Sequence, residues 1–138
     1  MTDKSILQRY AMRNGDAANG NATPADVEGT DDLGAFGWLR GIRDRAVSLE
    51  LRKKDGNILA VSYGYMDKAE FDPSEGITVS VGGQKIRIKG RNLNAPVRPT
   101  VRLFEGITRH RVPWIREAAH VESMHADDNV TIIDSLDW

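Results

Sequence analysis

Between residues 47 and 88, apolar side chains alternate with polar ones, as they do in strands that bury one face. Turn-forming residues interrupt this alternation at Asp55-Gly56, at Asp72 to Gly76 and at Gly82-Gly83. Because Asp-Gly favours a type I′ turn, we expect one at the first of these positions. The pattern predicts an antiparallel meander of four short strands, at Val47 to Leu51, Leu59 to Tyr65, Ile77 to Val81 and Ile86 to about Leu93.

The segment before the meander has a different pattern. Leu33, Phe36 and Leu39 fall three apart after Asp32, which can cap a helix, so a short N-terminal helix is predicted here. Residues 1–31 are rich in Gly, Asn and Asp and carry few large apolar side chains. Such a composition buries too little surface to offset the entropy of ordering, so a disordered N-terminal tail is predicted. The folded domain is expected to span residues 32–138.

The segment after the meander predicts two helices and a strand. Residues 100 to 110 have helical spacing, and Pro113 suits the first turn of a second helix, Trp114 to about His120. Together they form a helical insertion at about residues 100–121, followed by a last strand at Asn129 to Asp134. The predicted fold is therefore mainly β, a small antiparallel barrel of five strands that closes on itself and so exposes no edge.

Composition excludes some chemistry. The chain of 138 residues contains no cysteine, which removes disulfides, thiolate nucleophiles and cysteine-bound zinc from consideration. It also has no apolar run of the length that a signal peptide or a membrane span requires. We expect a soluble, cytoplasmic protein with no membrane partner.

Charge is distributed unevenly. Nine basic residues and one acid lie between Gln84 and Arg116, whereas the remaining residues to Trp138 include six acids and no Lys or Arg. Lys85, Arg87 and Lys89 alternate with aliphatic residues, so they should project from one strand face and could meet several phosphates together. The alternative is a solvated face that the acidic C-terminal segment neutralises.

Aromatic residues add a second expectation. Arg109, Arg111 and Trp114 combine cations with a stackable ring, as binding of single strands prefers. Tyr63 and Tyr65 are predicted to share a strand face with aliphatic residues, and we interpret them as core or rim residues.

Catalytic patterns are weak. His120 and His125 lie five apart, which is off the spacing that places two ligands on one helical face, even with Asp127 and Asp128 nearby. No serine has the context of a nucleophile elbow, and Gly82-Gly83 does not open a helix as a phosphate loop does. We expect no catalytic residue, no metal and no cofactor.

The motifs resemble those of the Sm and Sm-like small barrels. Similar to the second Sm motif are Ile86, Ile88, Lys89, Gly90, Arg91, Asn92 and Leu93, and similar to the first are Leu49, Leu51, Gly56, Gly64, Tyr65 and Asp67. The resemblance covers about residues 32–94. The predicted short N-terminal helix, the strand ending at Asp-Gly and a long bent second strand also carry it. The resemblance implies assembly into a homo-oligomeric ring and binding of single-stranded RNA, with Lys89 and Gly90 at the positions that contact a base.

Two functional hypotheses follow. The first is a non-enzymatic Sm-like module that binds RNA or another polyanion and self-assembles. Its predicted nucleic-acid-binding residues are Lys85, Arg87, Lys89, Gly90, Arg91, Arg109, Arg111 and Trp114. The second is a protein-interaction or structural barrel whose helical insertion docks a partner, and a small hydrolase ranks third.

Overall fold

The structure, a computed structural model, describes residues 29–125 and 130–138. The predicted tail lies outside these residues except at its end, where Thr30 and Asp31 already belong to a strand. The strands are β1 (Thr30–Asp32), β2 (Gly37–Leu39), β3 (Ser48–Arg52), β4 (Ile58–Ser62), β5 (Met66–Asp72), β6 (Gly76–Val81), β7 (Gln84–Arg91), β8 (Trp114–Arg116) and β9 (Ile132–Asp137). The helices are α1 (Leu103–Thr108) and α2 (His120–His125), and a 3₁₀ turn lies at Tyr63–Tyr65.

The strands form separate sheets around one core. One sheet has the antiparallel order β5-β6-β7-β9, a second has the order β4-β3-β8, and β1 pairs with β2. The prediction of a mainly β, largely antiparallel fold is confirmed. The prediction of a closed five-stranded barrel is wrong for the described residues, because β8 pairs with β3 and leaves β9 in the other sheet. The fully buried side chains include Phe36, Leu49, Leu51, Ile77, Ile86, Ile88, Leu103, Ile115 and Leu136.

The predicted hairpins are present, but the turn type of the first differs from the type I′ turn that was expected. At Asp55-Gly56 only Gly56 has a positive φ, of 98°, and its N–H donates to the Lys53 carbonyl at 3.1 Å. The Lys53 N–H donates to the Asn57 carbonyl and closes a loop of three residues, 54–56, where a type I′ hairpin has two, so this is a type I turn followed by a left-handed glycine. The two-residue loop Gly82-Gly83 has φ of 56° and 85°, as a type I′ turn requires.

The predicted N-terminal helix is wrong, because β1 and β2 occupy that segment. The Asp32 carboxylate accepts the N–H of Gly34, which has a φ of 89°, and the chain reverses there. Gly37 then packs on the indole of Trp114, where a Cβ would lie 2.5 Å from Nε1. One glycine makes a close turn and the other a close approach, and neither contact is visible in the local spacing.

The predicted helix at Trp114 to His120 is also wrong. Trp114–Arg116 is strand β8, which pairs in parallel with β3. The Pro113 carbonyl accepts the N–H of Glu50 at 3.0 Å, and the N–H of Arg116 donates to Ala35. These partners lie more than sixty residues away in the chain, so tertiary pairing outweighs the local preference that Pro113 suggested. The predicted last strand is shifted to β9, and Asn129 lies outside the described residues.

A 3₁₀ turn divides the second half of the first hairpin from β5. Ser62 caps this turn by accepting the N–H of Gly64 at 3.2 Å. The turn rotates the chain, so Tyr63 is buried while Tyr65 is 72% exposed, and the prediction that they share a face is wrong. The Tyr63 hydroxyl donates to the Val112 carbonyl at 2.6 Å, and burial raises the pKa of Tyr63. The sequence pattern did not predict β5 as a strand of its own.

Helix α1 lies within the predicted helical segment 100–110 and ends in a Schellman motif. His110 takes the left-handed position with a φ of 58°, where glycine is usual. The N–H of His110 donates to Ile107, and that of Arg111 donates to Gly106. The His110 ring stacks on Tyr63 with centroids 4.4 Å apart. This end of the helix directs the chain toward β8. None of the helices in the described ranges has the length and apolar character to cross a bilayer.

The buried carboxylate of Glu117 links the two larger sheets. One of its oxygens accepts the N–H of Lys54 in the β3–β4 hairpin at 2.9 Å, and the other accepts the N–H of Leu136 in β9 at 2.6 Å. The N–H of Glu117 itself donates to the Arg52 carbonyl. Next to it, Ala118 donates to Ile133 of β9. The stretch after β8 thus ties both sheets together without closing a barrel.

Replacement of Gly56 tests the turn assignment. No atom lies within 4 Å of the point that a Cβ would occupy at this residue, so the cost comes from the backbone alone. We expect Gly56→Val to lower the free energy of unfolding by about 1 kcal/mol or more, because a β-branched residue is strained at positive φ. Gly56→Asn should cost less, since Asn tolerates this region. Equal denaturation midpoints for the wild type and the Val variant would contradict the assignment.

Replacement of Glu117 tests the link between the sheets. Glu117→Ala leaves the N–H groups of Lys54 and Leu136 without their acceptor. We therefore expect the free energy of unfolding, measured in urea, to fall by about 2 kcal/mol or more. Glu122 serves as the control, because its exposed carboxylate binds Arg116 and the Ala119 N–H. Glu122→Ala should cost at most about 1 kcal/mol. The link is not important for stability if the two variants unfold at the same midpoint.

Candidate nucleic-acid interface

Strand β7 presents three cations on one face. Ile86 and Ile88 are fully buried, and Lys85, Arg87 and Lys89 alternate with them on the exposed face, as the period of two predicts. Residues two apart in a strand are about 7 Å apart, so the three cations follow a line of about 14 Å. We call Lys85, Arg87 and Lys89 the basic strand face.

The strands beside β7 contribute hydroxyls and acids to the same sheet surface. In register, Ser80 lies opposite Lys85, Thr78 opposite Arg87 and Ser135 opposite Lys89. Arg87 also lies opposite Asp137, and its guanidinium is 3.9 Å from the Glu75 carboxylate. Both members of this ion pair are about half exposed, so their attraction is weak. Among the described residues, Lys85 and Lys89 form no ion pair.

A β-bulge shapes the end of the basic strand face. The register between β7 and β9 shifts between Lys89 and Gly90. A Cβ on Gly90 would overlap the carbonyl of Ile132, so only glycine permits this approach of the two backbones. The role of Gly90 in the structure is therefore to bring β9 close to β7 beside Lys89. Bulges of this kind re-aim neighbouring side chains and are common next to binding sites.

Lys89 lines a cleft of about 660 Å³ at this end of the sheet. The cleft lies between the β5–β6 turn, the end of β7, the loop that follows it, and the bulged part of β9. Its lining is polar and of mixed charge: Ser74, Glu75, Lys89, Asn92, Asn94 and Asp134, with Phe71 and Leu93. A volume of this size is typical of ligand sites in proteins.

The wall of the cleft at the β5–β6 turn is held by Asp72. Its carboxylate accepts the hydroxyl of Ser74 at 2.7 Å and the N–H of Ser74 at 2.8 Å. The Glu75 N–H contributes a third, longer bond of 3.3 Å. These bonds, that of the Ser74 hydroxyl first, lower the pKa of Asp72, so the turn keeps its bonds and its negative charge in mildly acidic solution.

The second predicted group of binding residues is not part of this surface. Arg109 pairs with Glu105 at 3.3 Å on α1. The Arg111 guanidinium donates to the carbonyls of Leu39, Gly41 and Ile42 and lies 5.3 Å from the centre of the Trp38 ring. No residue of β7 lines the cleft that these two arginines share. Arg91, the last residue of β7, is exposed beyond the bulge.

Trp114 is not available for stacking on a base. It is 3% exposed, is covered by the Arg52 guanidinium at 4.9 Å and packs on Gly37. Tyr65, in contrast, is 72% exposed at one end of the sheet that contains β7. The Tyr65 carbonyl accepts the N–H of Gly82, which places it at the Lys85 end of the sheet. The sequence shows an alternation of polar and apolar residues that predicts a shared face for Tyr63 and Tyr65. The 3₁₀ turn interrupts this alternation and exposes Tyr65, so the pattern did not predict its exposure.

Comparison of this chain with family models, with curated proteins and with solved structures finds no match. Function is therefore inferred from the geometry.

The described residues contain no group of three or more side chains placed to hold a metal ion. Asp127 and Asp128, which were considered with His120 and His125 as metal ligands, lie outside the described residues.

Replacement of Arg111 tests whether it is a structural residue. Arg111→Lys removes the planar fork that binds three carbonyls and stacks on Trp38, and we expect the free energy of unfolding to fall by roughly 2 kcal/mol. Arg109→Lys is the matched control, because its exposed ion pair contributes at most about 1 kcal/mol. Chemical denaturation measures both. A larger loss for Arg109→Lys would reverse this assignment.

Proposed function

We propose that this domain is a non-enzymatic binding module whose basic strand face holds a single-stranded nucleic acid, RNA being the leading candidate. The observation that carries the proposal is the exposed line of Lys85, Arg87 and Lys89 on an open sheet surface. Cations spaced along an extended strand can neutralise successive phosphates, and each contact releases counterions.

The neighbours of this line support the proposal. Tyr65 is exposed at the Lys85 end and offers a ring on which a base can stack. The hydroxyls of Thr78, Ser80 and Ser135 lie in register beside the cations and can bind phosphate or sugar oxygens. The bulge and the cleft at the Lys89 end can receive a nucleotide. Aromatic rings combined with a basic groove are typical of binding to single strands.

An Sm-like relationship is part of this proposal. It rests on the sequence motifs around Lys89 and Gly90 and on a mainly β fold in which a 3₁₀ turn bends the chain between β4 and β5. We further propose that the chain self-assembles into a homo-oligomer. Light scattering with and without a short RNA measures the solution mass and tests this assembly directly.

The basic strand face is tested by replacing Lys85, Arg87 and Lys89 together with Gln. We expect binding of short single-stranded RNA at low salt to weaken by roughly tenfold or more. The slope of log affinity against log salt should become shallower by about two, since each contact on a single strand contributes about 0.7. Fluorescence anisotropy over a salt series measures both quantities.

The matched control removes three exposed cations elsewhere, with Gln at Arg43, Lys54 and Arg102. It has the same net charge as the test variant, so an equal loss of binding would point to net charge alone.

Tyr65→Ala tests stacking. The affinity for RNA should fall, since one stacked base contributes about 1–3 kcal/mol, while the slope of log affinity against log salt stays unchanged.

An absence of measurable binding by the parent protein at about 50 mM salt would overturn the proposal. In that case the basic strand face would serve to neutralise Glu75 and Asp137. The triple Gln variant would then be less stable than the parent, and the difference would shrink as salt screens the ion pairs.

A further inference from the structure

A second, smaller cleft lies away from the basic strand face. It has a volume of about 260 Å³. The residues that line it come from β2, the loop after β2, the turn before α1 and α1 with its end: Trp38, Ile42, Arg45, Thr100, Glu105, Arg109 and Arg111. A cleft of this size fits one ring and one charged group rather than a polymer.

The charges around this cleft are unbalanced. The Arg111 guanidinium donates to three backbone carbonyls, and the Arg45 guanidinium donates to the carbonyls of Ile42 and Asp44. Among the described residues, no carboxylate pairs with either guanidinium, whereas Arg109 has Glu105 as a carboxylate partner at 3.3 Å. Among the residues that line the cleft, three are positively charged and one is negatively charged, and a further carboxylate, that of Asp44, lies against Gly41, so the balance at the cleft favours an anion.

The cleft also has an apolar side. The Trp38 indole is held in place because α1 carries Gly106, where a Cβ would lie 2.5 Å from the ring. Ile42, in contrast, is 88% exposed at the edge of the cleft. Because Trp38 is only 8% exposed, Ile42 supplies most of the apolar surface that can enclose the apolar part of a ligand.

Thr100 adds an independent observation. It follows Pro99 in a turn whose Val101 N–H donates to the Arg98 carbonyl at 3.0 Å. Thr100 has a φ of 64°, in the position of a turn that normally requires Gly or Asn. A β-branched residue is strained there, and such strain is concentrated at ligand-binding sites. Its side chain is the only hydroxyl among the residues that line the cleft.

We propose that this cleft binds a small organic anion in which a phosphate or carboxylate group is joined directly to an aromatic ring. Arg45 and Arg109 contact the anionic group, Arg111 supplies a fixed positive charge, and the ring lies against Ile42 and the small exposed part of Trp38. The Thr100 hydroxyl donates to the anion, which accounts for threonine in place of glycine. This site is independent of the basic strand face.

The probes are phenyl phosphate and benzoate, with inorganic phosphate and phenol as the two halves of the ligand. Calorimetric titration of the full chain should give tighter binding for an aryl anion than for either half. The preferred aryl anion identifies phosphate or carboxylate as the charged group. In the double variant Arg45→Gln and Arg109→Gln, that binding should weaken at least tenfold. Arg43→Gln, in the same loop but outside the cleft lining, should change it less than twofold.

Thr100 is tested with two variants. Thr100→Val keeps the branched side chain and its strain but removes the hydroxyl, so we expect binding to weaken several-fold with little change in unfolding midpoint. Thr100→Gly should weaken binding equally. Because glycine also relieves the backbone strain, the unfolding midpoint of this variant should be no lower than that of Thr100→Val. Equal binding by the parent and both variants would overturn the role of Thr100.

The triple Gln variant of the basic strand face separates this site from the proposed function, because it should bind the aryl anion as the parent does. The proposal is overturned if neither aryl anion binds at about 10 mM, which is about ten times a weak Kd of about 1 mM. It is equally overturned if the double Arg variant binds the aryl anion as tightly as the parent, or if inorganic phosphate alone binds as well.

Discussion

A single buried carboxylate joins the two larger sheets of this domain. Glu117 accepts N–H groups from the β3–β4 hairpin and from β9, and its own N–H binds β3. A buried carboxylate is tolerated only when its oxygens are satisfied, so its position is set closely by these partners. The location of β9 then fixes the bulge opposite Gly90, and the bulge determines where Lys89 stands at the cleft.

The parts of the fold that the sequence predicted well are those in which each strand buries one face. Leu49, Leu51, Ile86 and Ile88 alternate with polar residues because the core lies on one side only, and the period of two survives in the sequence. The failures share another cause. The N-terminal segment and β8 pair with chain more than sixty residues away, and Gly37 is selected by its contact with Trp114. The spacing of apolar residues within a short segment does not depend on partners so far away in the chain.

The candidate sites divide in the same way. Lys85, Arg87 and Lys89 could be placed together from their spacing, since a strand carries them. Arg109 and Arg111 could not be assigned to their own cleft in this way, because their positions depend on the left-handed His110 at the end of α1 and on the pairing of Arg111 with the loop after β2. The mixture of charges around Arg87 was likewise invisible, since Glu75 and Asp137 reach it only through sheet register.

Strand β5 lies at the edge of its sheet and has no strand beyond it among the described residues. Asp67, Lys68 and Glu70 are exposed along this edge. A strand from another molecule that paired here would bring its own side chains against fixed charges of both signs, which disfavours edge-to-edge aggregation. The bulge at the start of β5, between Met66 and Lys68, interrupts the regular ladder and has the same effect. These features make the β5 edge a poor template for a strand of another molecule.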